Sequence, residues 1–446
     1  MQPSQTHGFR GGAPGSVLTP TQRKFVAKLT AMIAGGMFID GFILGIIGVL
    51  MPGITADLHL TATWQGLIGA SPLFGIFLGG PLGGFLADKI GRRPMFTIDL
   101  MAFLAGSLAQ YFVTDANQLF LVRFLMGVAI GADYAIGWPM LVEFVPARIR
   151  GRLLSLQEIG WFAGYTGAYA LAWGLTVSTA LDWRFMLALS AVPTLIVLLM
   201  RLGTPESPRW LMSVGRSDEA MAIATEYMPA EEVADLRAAP AEKTLSFRHL
   251  FRPPHAKTTF FISTYWLCNV TPFFAIGAFA PIVLQHLGLG DGMTGGLALN
   301  GLAMLGVLFC TAFIDTWGRR ALCIVPSFIS VAAMALLAVP GQTTTLVMVG
   351  VLTFSFFNAM AATLTVVYPG EVFPTDIRGA GVGFATAASR IGAAMGTFLL
   401  PISMEQLGMP ATMAAATGLC VVGAVVALVF APETNGVLLS KASNEV

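Results

Sequence analysis

Five ionisable side chains fall deep inside apolar runs of this chain: Asp40, Arg123, Asp133, Glu158 and Arg390. A charge held in hydrocarbon costs about 3 kcal/mol or more, so such residues pair, bind a ligand or carry protons. At 1.5 Å per helical residue, Asp40 lies about 18 Å into its run, and Asp133 and Arg390 reach similar central depth. Arg123 falls in the outer third of its run and Glu158 about 9 Å in from the inner end. Asp99 stands within a turn of a surface and is expected to be hydrated. A carboxyl group can take up and release a proton, which makes Asp40 and Asp133 candidate proton carriers. Arg390 keeps its charge and needs an anion, supplied by the protein or by a substrate. The alternative for each is a permanent structural ion pair.

The composition says what must hold these groups. Of 446 residues 55% are apolar and only 11% are charged, with a net charge of +1. That is about half the usual charged share of soluble domains. It excludes an ordinary soluble enzyme, a disordered chain and a nucleic-acid binder with a large basic surface. No nucleophile–base constellation and no metal-ligand spacing occurs, so neither catalysis nor a cofactor or metal is expected. Cys268, Cys310, Cys323 and Cys420 all lie in apolar runs and read as small core residues.

Breaks at Gly/Pro turns and charge clusters divide the chain into apolar spans near 28–51, 64–86, 95–113, 118–145, 152–175 and 183–201, then 258–286, 293–313, 321–338, 345–369, 379–402 and 410–430. Lipid satisfies no open backbone group, so these long continuous runs must be helices. The fold class expected is an all-α membrane protein with twelve transmembrane helices in two pseudo-symmetric six-helix bundles. The domains follow as a tail at 1–27, a bundle at 28–201, a linker with short helices at 202–257, a second bundle at 258–431 and a tail at 432–446. The polar start and the long first run do not fit a cleaved signal peptide. All Lys and Arg except Arg123, Arg184 and Arg390 fall on one side if both termini are cytoplasmic.

The two halves echo each other. Gly84-Phe-Leu-Ala-Asp88-Lys-Ile-Gly91-Arg92-Arg93 follows the second span, and Asp315-Thr-Trp-Gly318-Arg319-Arg320 follows the eighth. Glu143 with Arg150-Gly151 follows the fourth, and Glu371 with Arg378-Gly379 follows the tenth at the same spacing. Parallel six-helix repeats are the plan of one large transporter fold. Acidic and basic groups at these helix ends suit a gate, since Arg presents a planar fork to a carboxylate. The pairs expected are Glu143 with Arg378 and Arg92, and Glu371 with Arg150 and Arg319. Glu206 and Arg209, beyond the sixth span, belong to the same charge network.

The Gly-x-x-x-Asp-x-x-Gly-Arg-Arg loop resembles the signature of the major facilitator superfamily. Pro205-Glu206-Ser207-Pro208-Arg209-Trp210-Leu211 and Pro432-Glu433-Thr434-Asn435-Gly436 resemble the sugar-porter signatures. The resemblance covers the whole chain. It implies alternating access, with the charge pairs holding the inner side closed, and a monomer. Against the sugar-porter pattern, the sugar-contacting Gln of the fifth span becomes Glu158, and Gln-Gln-Leu-Ser of the seventh becomes Cys268-Asn269-Val270-Thr271. The Trp of the tenth becomes Val366, and the Trp of the eleventh becomes Arg390. The sugar-porter acid position of the first span holds Ile43. Asp40-Gly41-Phe42 is similar to the start of the Asp-Gly-Phe-Asp pattern of aromatic-acid/proton symporters. Nicotinate-type transporters resemble Ala388-Ser389-Arg390-Ile391-Gly392.

The reading that follows is proton-coupled uptake of a small organic anion, an aromatic or heteroaromatic monocarboxylate, across a plasma membrane, as in a bacterial inner membrane. A ring with one carboxylate suits stacking plus a guanidinium. Trp161 and Tyr165, one turn apart beside Glu158, lead the aromatic candidates, with Phe42 and Phe274. Asn269, Asn300 and Asn358 are either ligand contacts or interhelix hydrogen bonds. The rival readings are a sugar or neutral polyol porter, an organic cation or drug exporter held by Asp40, Asp133 and Glu158, and a non-transporting membrane receptor.

Overall fold

A computed structural model describes residues 18–145, 147–238, 247–288, 292–373 and 377–434; the side chains of Glu143, Arg150, Asp315 and Arg378 lie outside what it describes. Every regular element among the described residues is helical. In chain order these are α1 (Pro20–Leu58), α2 (Ala62–Ile90), α3 (Arg92–Ala109), α4 (Ala116–Phe144), α5 (Ala147–Ser178), α6 (Trp183–Ala188) and α7 (Ala191–Arg201). Three short helices follow, α8 (Pro208–Ser213), α9 (Ser217–Tyr227) and α10 (Ala230–Ala238). Then come α11 (His255–Ala278), α12 (Ala280–His286), α13 (Gly292–Trp317), α14 (Arg319–Ala338), α15 (Thr344–Val372), α16 (Arg378–Leu407) and α17 (Met409–Phe430).

Ten of the helical stretches are long and apolar enough to cross a membrane on length and composition. The helices α5 and α16 complete the twelve. They have the length, at 32 and 30 residues, but carry more polar side chains, Glu158 and Arg390 among them. The sixth and seventh spans are broken into α6–α7 and α11–α12. Pro281 stands in the first turn of α12, where a missing N–H costs nothing, and so marks the restart. The helix α1 begins at Pro20, before the apolar run does, because Thr19 and Gln22 form a capping box. The rest of the expected 1–27 tail lies outside the described residues, apart from Leu18 and Thr19.

The packing repeats. In the first half α2 packs on α4, α1 on α5, and α3 on α4 and α7. In the second α13 packs on α15, α11 on α16, and α14 on α15 and α17. Between the halves α2 meets α16 and α5 meets α13. The α1–α5 crossing is backbone on backbone: a Cβ at Gly41 would stand 2.0 Å from the Trp161 carbonyl oxygen, and one at Gly164 2.0 Å from that of Phe38. Small residues let membrane helices approach this closely. The approach seats Asp40 beside the α5 turn that carries Glu158 and Trp161. Exposed apolar side chains such as Phe112, Leu199 and Val429 face outward, as a lipid-facing surface requires.

Candidate substrate and coupling site

Arg390 of α16 is buried, 8% exposed, and makes no ion pair or hydrogen bond among the described residues. Its guanidinium carbon stands 5.4 Å from the Tyr134 ring centroid and 5.5 Å from that of Phe274. Cation–π attraction of this kind offsets part of the cost of a buried charge. Three helices therefore converge here, α4, α11 and α16. Trp161 and Tyr165 of α5 stack on one another at 5.2 Å, and Trp161 meets Phe274 edge-on at 5.7 Å. Phe273 joins them, 5.8 Å from Tyr165. Glu158, half-buried one turn before Trp161, has Arg390 as its charged neighbour. The arrangement is a cationic head against an aromatic wall, and among the described residues no carboxylate is seated on the cation.

Asp40 of α1 is fully buried, and among the described residues neither of its carboxylate oxygens has a partner. Its charged neighbours are Asp133, Asp99, Arg201 and Arg390. An unpaired carboxylate in a dry interior is costly as an anion, and a bound proton removes that cost. Asp133 stands differently. Successive helical residues point about 100° apart, since a turn takes 3.6 of them. Tyr134 thus faces Arg390 while Asp133 turns into its own half. There Arg201 Nη2 bonds Asp133 at 3.0 Å and Arg201 Nη1 bonds Asp99 at 3.1 Å. Arg201 also donates to the Phe96 carbonyl and lies 3.7 Å over the Phe96 ring.

Asp99, expected to be hydrated, is instead 2% exposed, because α7 lays Arg201 across it. Arg201, the last residue of α7, is a buried clamp on two acids. Arg123 is fully buried and donates to the Ile43 carbonyl at 3.2 Å and to Gln110 at 3.5 Å. The sequence singles out neither Tyr134 nor Arg201. Tyr134 had one available signal, its place immediately after a buried acid.

Other expected ligand residues are not brought to Arg390. Phe42 packs in a separate apolar cluster, 6.3 Å from Phe38. Asn300 donates to the Gly296 carbonyl one turn back, and its own carbonyl accepts from Thr166 of α5 across the halves. Asn269 and Asn358 bond each other's backbone carbonyls at 3.5 and 3.3 Å. They line a small hollow of about 20 Å³ among α11, α14, α15 and α17.

At the charged-loop end the repeat becomes concrete. Gly91 and Gly318 take φ of +101° and +84°, which glycine tolerates, and each is followed by a helix N-terminus. Glu206 accepts the backbone N–H groups of Arg92 and Arg93 at 3.0 and 3.2 Å. Glu433 does the same for Arg319 and Arg320, at 3.0 and 3.1 Å. A carboxylate on a helix N-terminus is favourable to both partners. Arg319 pairs with Glu371 at 3.3 Å, and Thr434 donates to the same carboxylate. Trp210 donates to the Asp88 carbonyl at 2.9 Å, while the Asp88 side chain is exposed. Arg209 is half-buried in the first turn of α8. The side chains of the expected network members Glu143, Arg150, Asp315 and Arg378 lie outside what the structure describes.

Two repeated six-span halves, with ionisable groups facing between them and locked loops at one end, define a multi-pass membrane transporter of the major facilitator superfamily, not an enzyme. The chain belongs to the sugar (and other) transporter family, whose model matches residues 12–445. It is 37% identical over 415 residues to the putative metabolite transport protein YaaU of Escherichia coli, covering 92% of this chain and 93% of that one. It is 26% identical over 378 residues to the niacin transporter NiaP of Acinetobacter baylyi, covering 83% and 85%. The xylose transporter XylE of E. coli, in a partially occluded inward-open conformation, superposes with a TM-score of 0.79 at 19% identity, over 93% of this chain and 99% of that one. The family match makes the protein a member of this transporter family, and the likeness to XylE shows the same fold.

Proposed function

We propose that this transporter takes up a small organic anion, an aromatic or heteroaromatic monocarboxylate such as nicotinate or benzoate, together with protons. The observation that carries the reading is Arg390, buried between Tyr134 and Phe274 with no carboxylate on it among the described residues. A permanent structural cation would have its anion in place. The wall of Trp161, Tyr165 and Phe274 supplies a stacking surface of the right kind. The niacin transporter among the relatives agrees with this chemistry.

In this reading the two halves rock about the site. A proton on Asp40 neutralises the unpaired carboxyl while the substrate carboxylate meets Arg390. The occluded site then carries little net charge, and release of both on the inner side resets it. Asp133 is the second candidate carrier. The gate comprises Glu143, Arg378, Arg92, Glu371, Arg150 and Arg319. The charge bias of the loops supports both termini and the linker on the cytoplasmic side of a plasma membrane, and the E. coli relative supports a bacterial inner membrane. The domains are the bundles 28–201 and 258–431 joined by the linker 202–257, and the transporter works as a monomer.

The test is a thermal-shift screen of the purified protein against benzoate, nicotinate, hexoses and organic amines, with an R390A control. A ligand that binds the folded state raises its melting temperature by mass action. The expected result is stabilisation by a carboxylate that R390A abolishes. In proteoliposomes D40N retains exchange and loses uphill uptake; full proton-driven accumulation by both D40N and D133N would sink the coupling assignment. A second reading, a sugar or polyol porter, is favoured by the side-chain oxygens of Asn269 and Asn358, which have no partner. Stabilisation by hexoses that survives R390A would put it first.

A further inference from the structure

The charge cluster of the first half has its own opening. A crevice of about 70 Å³ runs between α1, α3, α4 and α7 at the charged-loop end. Its rim carries the exposed Arg93, Thr97 and Gly203, and its buried inner wall includes Met140 and Arg201. That volume admits a few water molecules. It therefore connects the loop end of the molecule to the guanidinium that bridges Asp99 and Asp133, without passing between the two halves. Behind that bridge lies Gly36 of α1: a Cβ there would stand 2.9 Å from Asp133 Oδ2. Asp40 follows one turn further along the same helix.

The charges in this region do not balance. Asp99 and Asp133 share one guanidinium, Arg201, and Asp40 stands one turn beyond Gly36, which abuts both Asp133 and Arg201. Arg390 on α16 is the further cation near Asp40, and Glu158 on α5 is its own charged neighbour, so this acid and base together add no net charge. Asp99 keeps one carboxylate oxygen buried and without a partner, as Asp40 keeps two. With Arg201 charged, the trio is neutral when two of its three carboxyls hold protons.

We propose that the Asp99–Arg201–Asp133 cluster is a second proton-bearing station of the coupling machinery, and that protons reach the loop end of the molecule through this crevice rather than along the substrate path. The proposal rests on the proton-symport reading above. The step is a simple proton relay. The O–H bond of protonated Asp40 breaks as one forms on a cluster carboxylate, and that proton later leaves to crevice water as hydronium, restoring the carboxylate. Arg201 holds the two acids in place and keeps its own protons throughout. Substrate and proton then leave by different doors, so the loop-end gate can close on one without trapping the other.

The test pairs an infrared pH titration of the carboxylic-acid C=O band in purified protein with uptake and exchange measurements in proteoliposomes. D99N is expected to remove one titrating band and to displace the midpoint of the uptake pH profile by about one unit or more, an effect of roughly 1.4 kcal/mol. Exchange of substrate without a pH gradient is expected to persist. T97F, at the exposed mouth and outside the charge cluster, is expected to slow gradient-driven uptake several-fold with exchange retained. It covers the case in which D99N fails to fold. A native protein that takes up substrate on a pH gradient, with D99N and T97F superimposed on it, overturns the station and leaves the symport reading standing. A native protein indifferent to the gradient overturns both the symport reading and the coupling role, while the band lost in D99N would still mark a proton-binding cluster.

Discussion

Among the described residues the first half of the molecule buries five charged side chains, Asp40, Asp99, Asp133, Arg123 and Arg201, whereas the second half buries only Arg390. The helix packing of the halves is nevertheless the same, pair for pair. At the loop end even the polar chemistry repeats, since Glu206 caps α3 as Glu433 caps α14. The contrast separates two jobs. What recurs is the frame and its locked loops. What differs is the load: a carboxyl-rich half suited to protons and a half presenting one cation with neutral amides and hydroxyls. Coupling would then consist of bringing a titratable half against a fixed charge.

Several measurements would break or sharpen that contrast. The largest expected effect is R201A. It leaves two acids buried without their cation, which costs about 3–5 kcal/mol when one partner of a buried pair is removed. Thermal melting in detergent should drop steeply, and the added changes D99N and D133N should recover part of the loss. A native-like melting curve for R201A would mean that the cluster is wet and the first half not specially charged. Next comes R390A on the other side of the comparison. It should weaken carboxylate binding by about 2–5 kcal/mol, the range for truncating one partner of a buried charge pair. Calorimetry reads this directly, and an unchanged affinity would make Arg390 structural.

Smaller effects test the repeated frame. E206A should cost about 1 kcal/mol of stability by uncapping α3. E433A should cost less, because Glu433 is exposed whereas Glu206 is half-buried. Equal losses in melting temperature would say that burial does not distinguish the two caps. The smallest change is Y134F. It leaves the ring beside Arg390 and removes one hydroxyl, with an expected loss of ligand affinity under about 1 kcal/mol. A loss as large as that of R390A would instead make the hydroxyl a direct substrate contact.

How far the sequence could be read follows from the range over which each feature acts. The motif loops were legible because each is written in a few consecutive residues, and a glycine at positive φ before a helix N-terminus is a local matter. Asp40 and Arg390 were legible as isolated charges in apolar runs. Asp99 and Arg201 were misjudged because each stands near the end of a span, where position alone suggests water. Arg201 counted as one more basic residue on the loop side. Phe42 and the Asn residues stand out by type and depth alone, whereas a helix with 3.6 residues per turn sends neighbours to different faces.

The sequence by itself determined that the chain crosses a membrane in two repeated halves and that a few charges are stranded in it. Run length, hydrophobicity and loop charge act along the chain and require no partner. Only the tertiary structure decided who meets whom. Arg201 lies 68 residues from Asp133 and 102 from Asp99, and Arg390 meets rings from α4 and α11. Those partnerships depend on helix rotation and close glycine crossings such as α1 on α5. A buried charge is priced by its neighbours in space, so its role could be assigned only once the helices were packed.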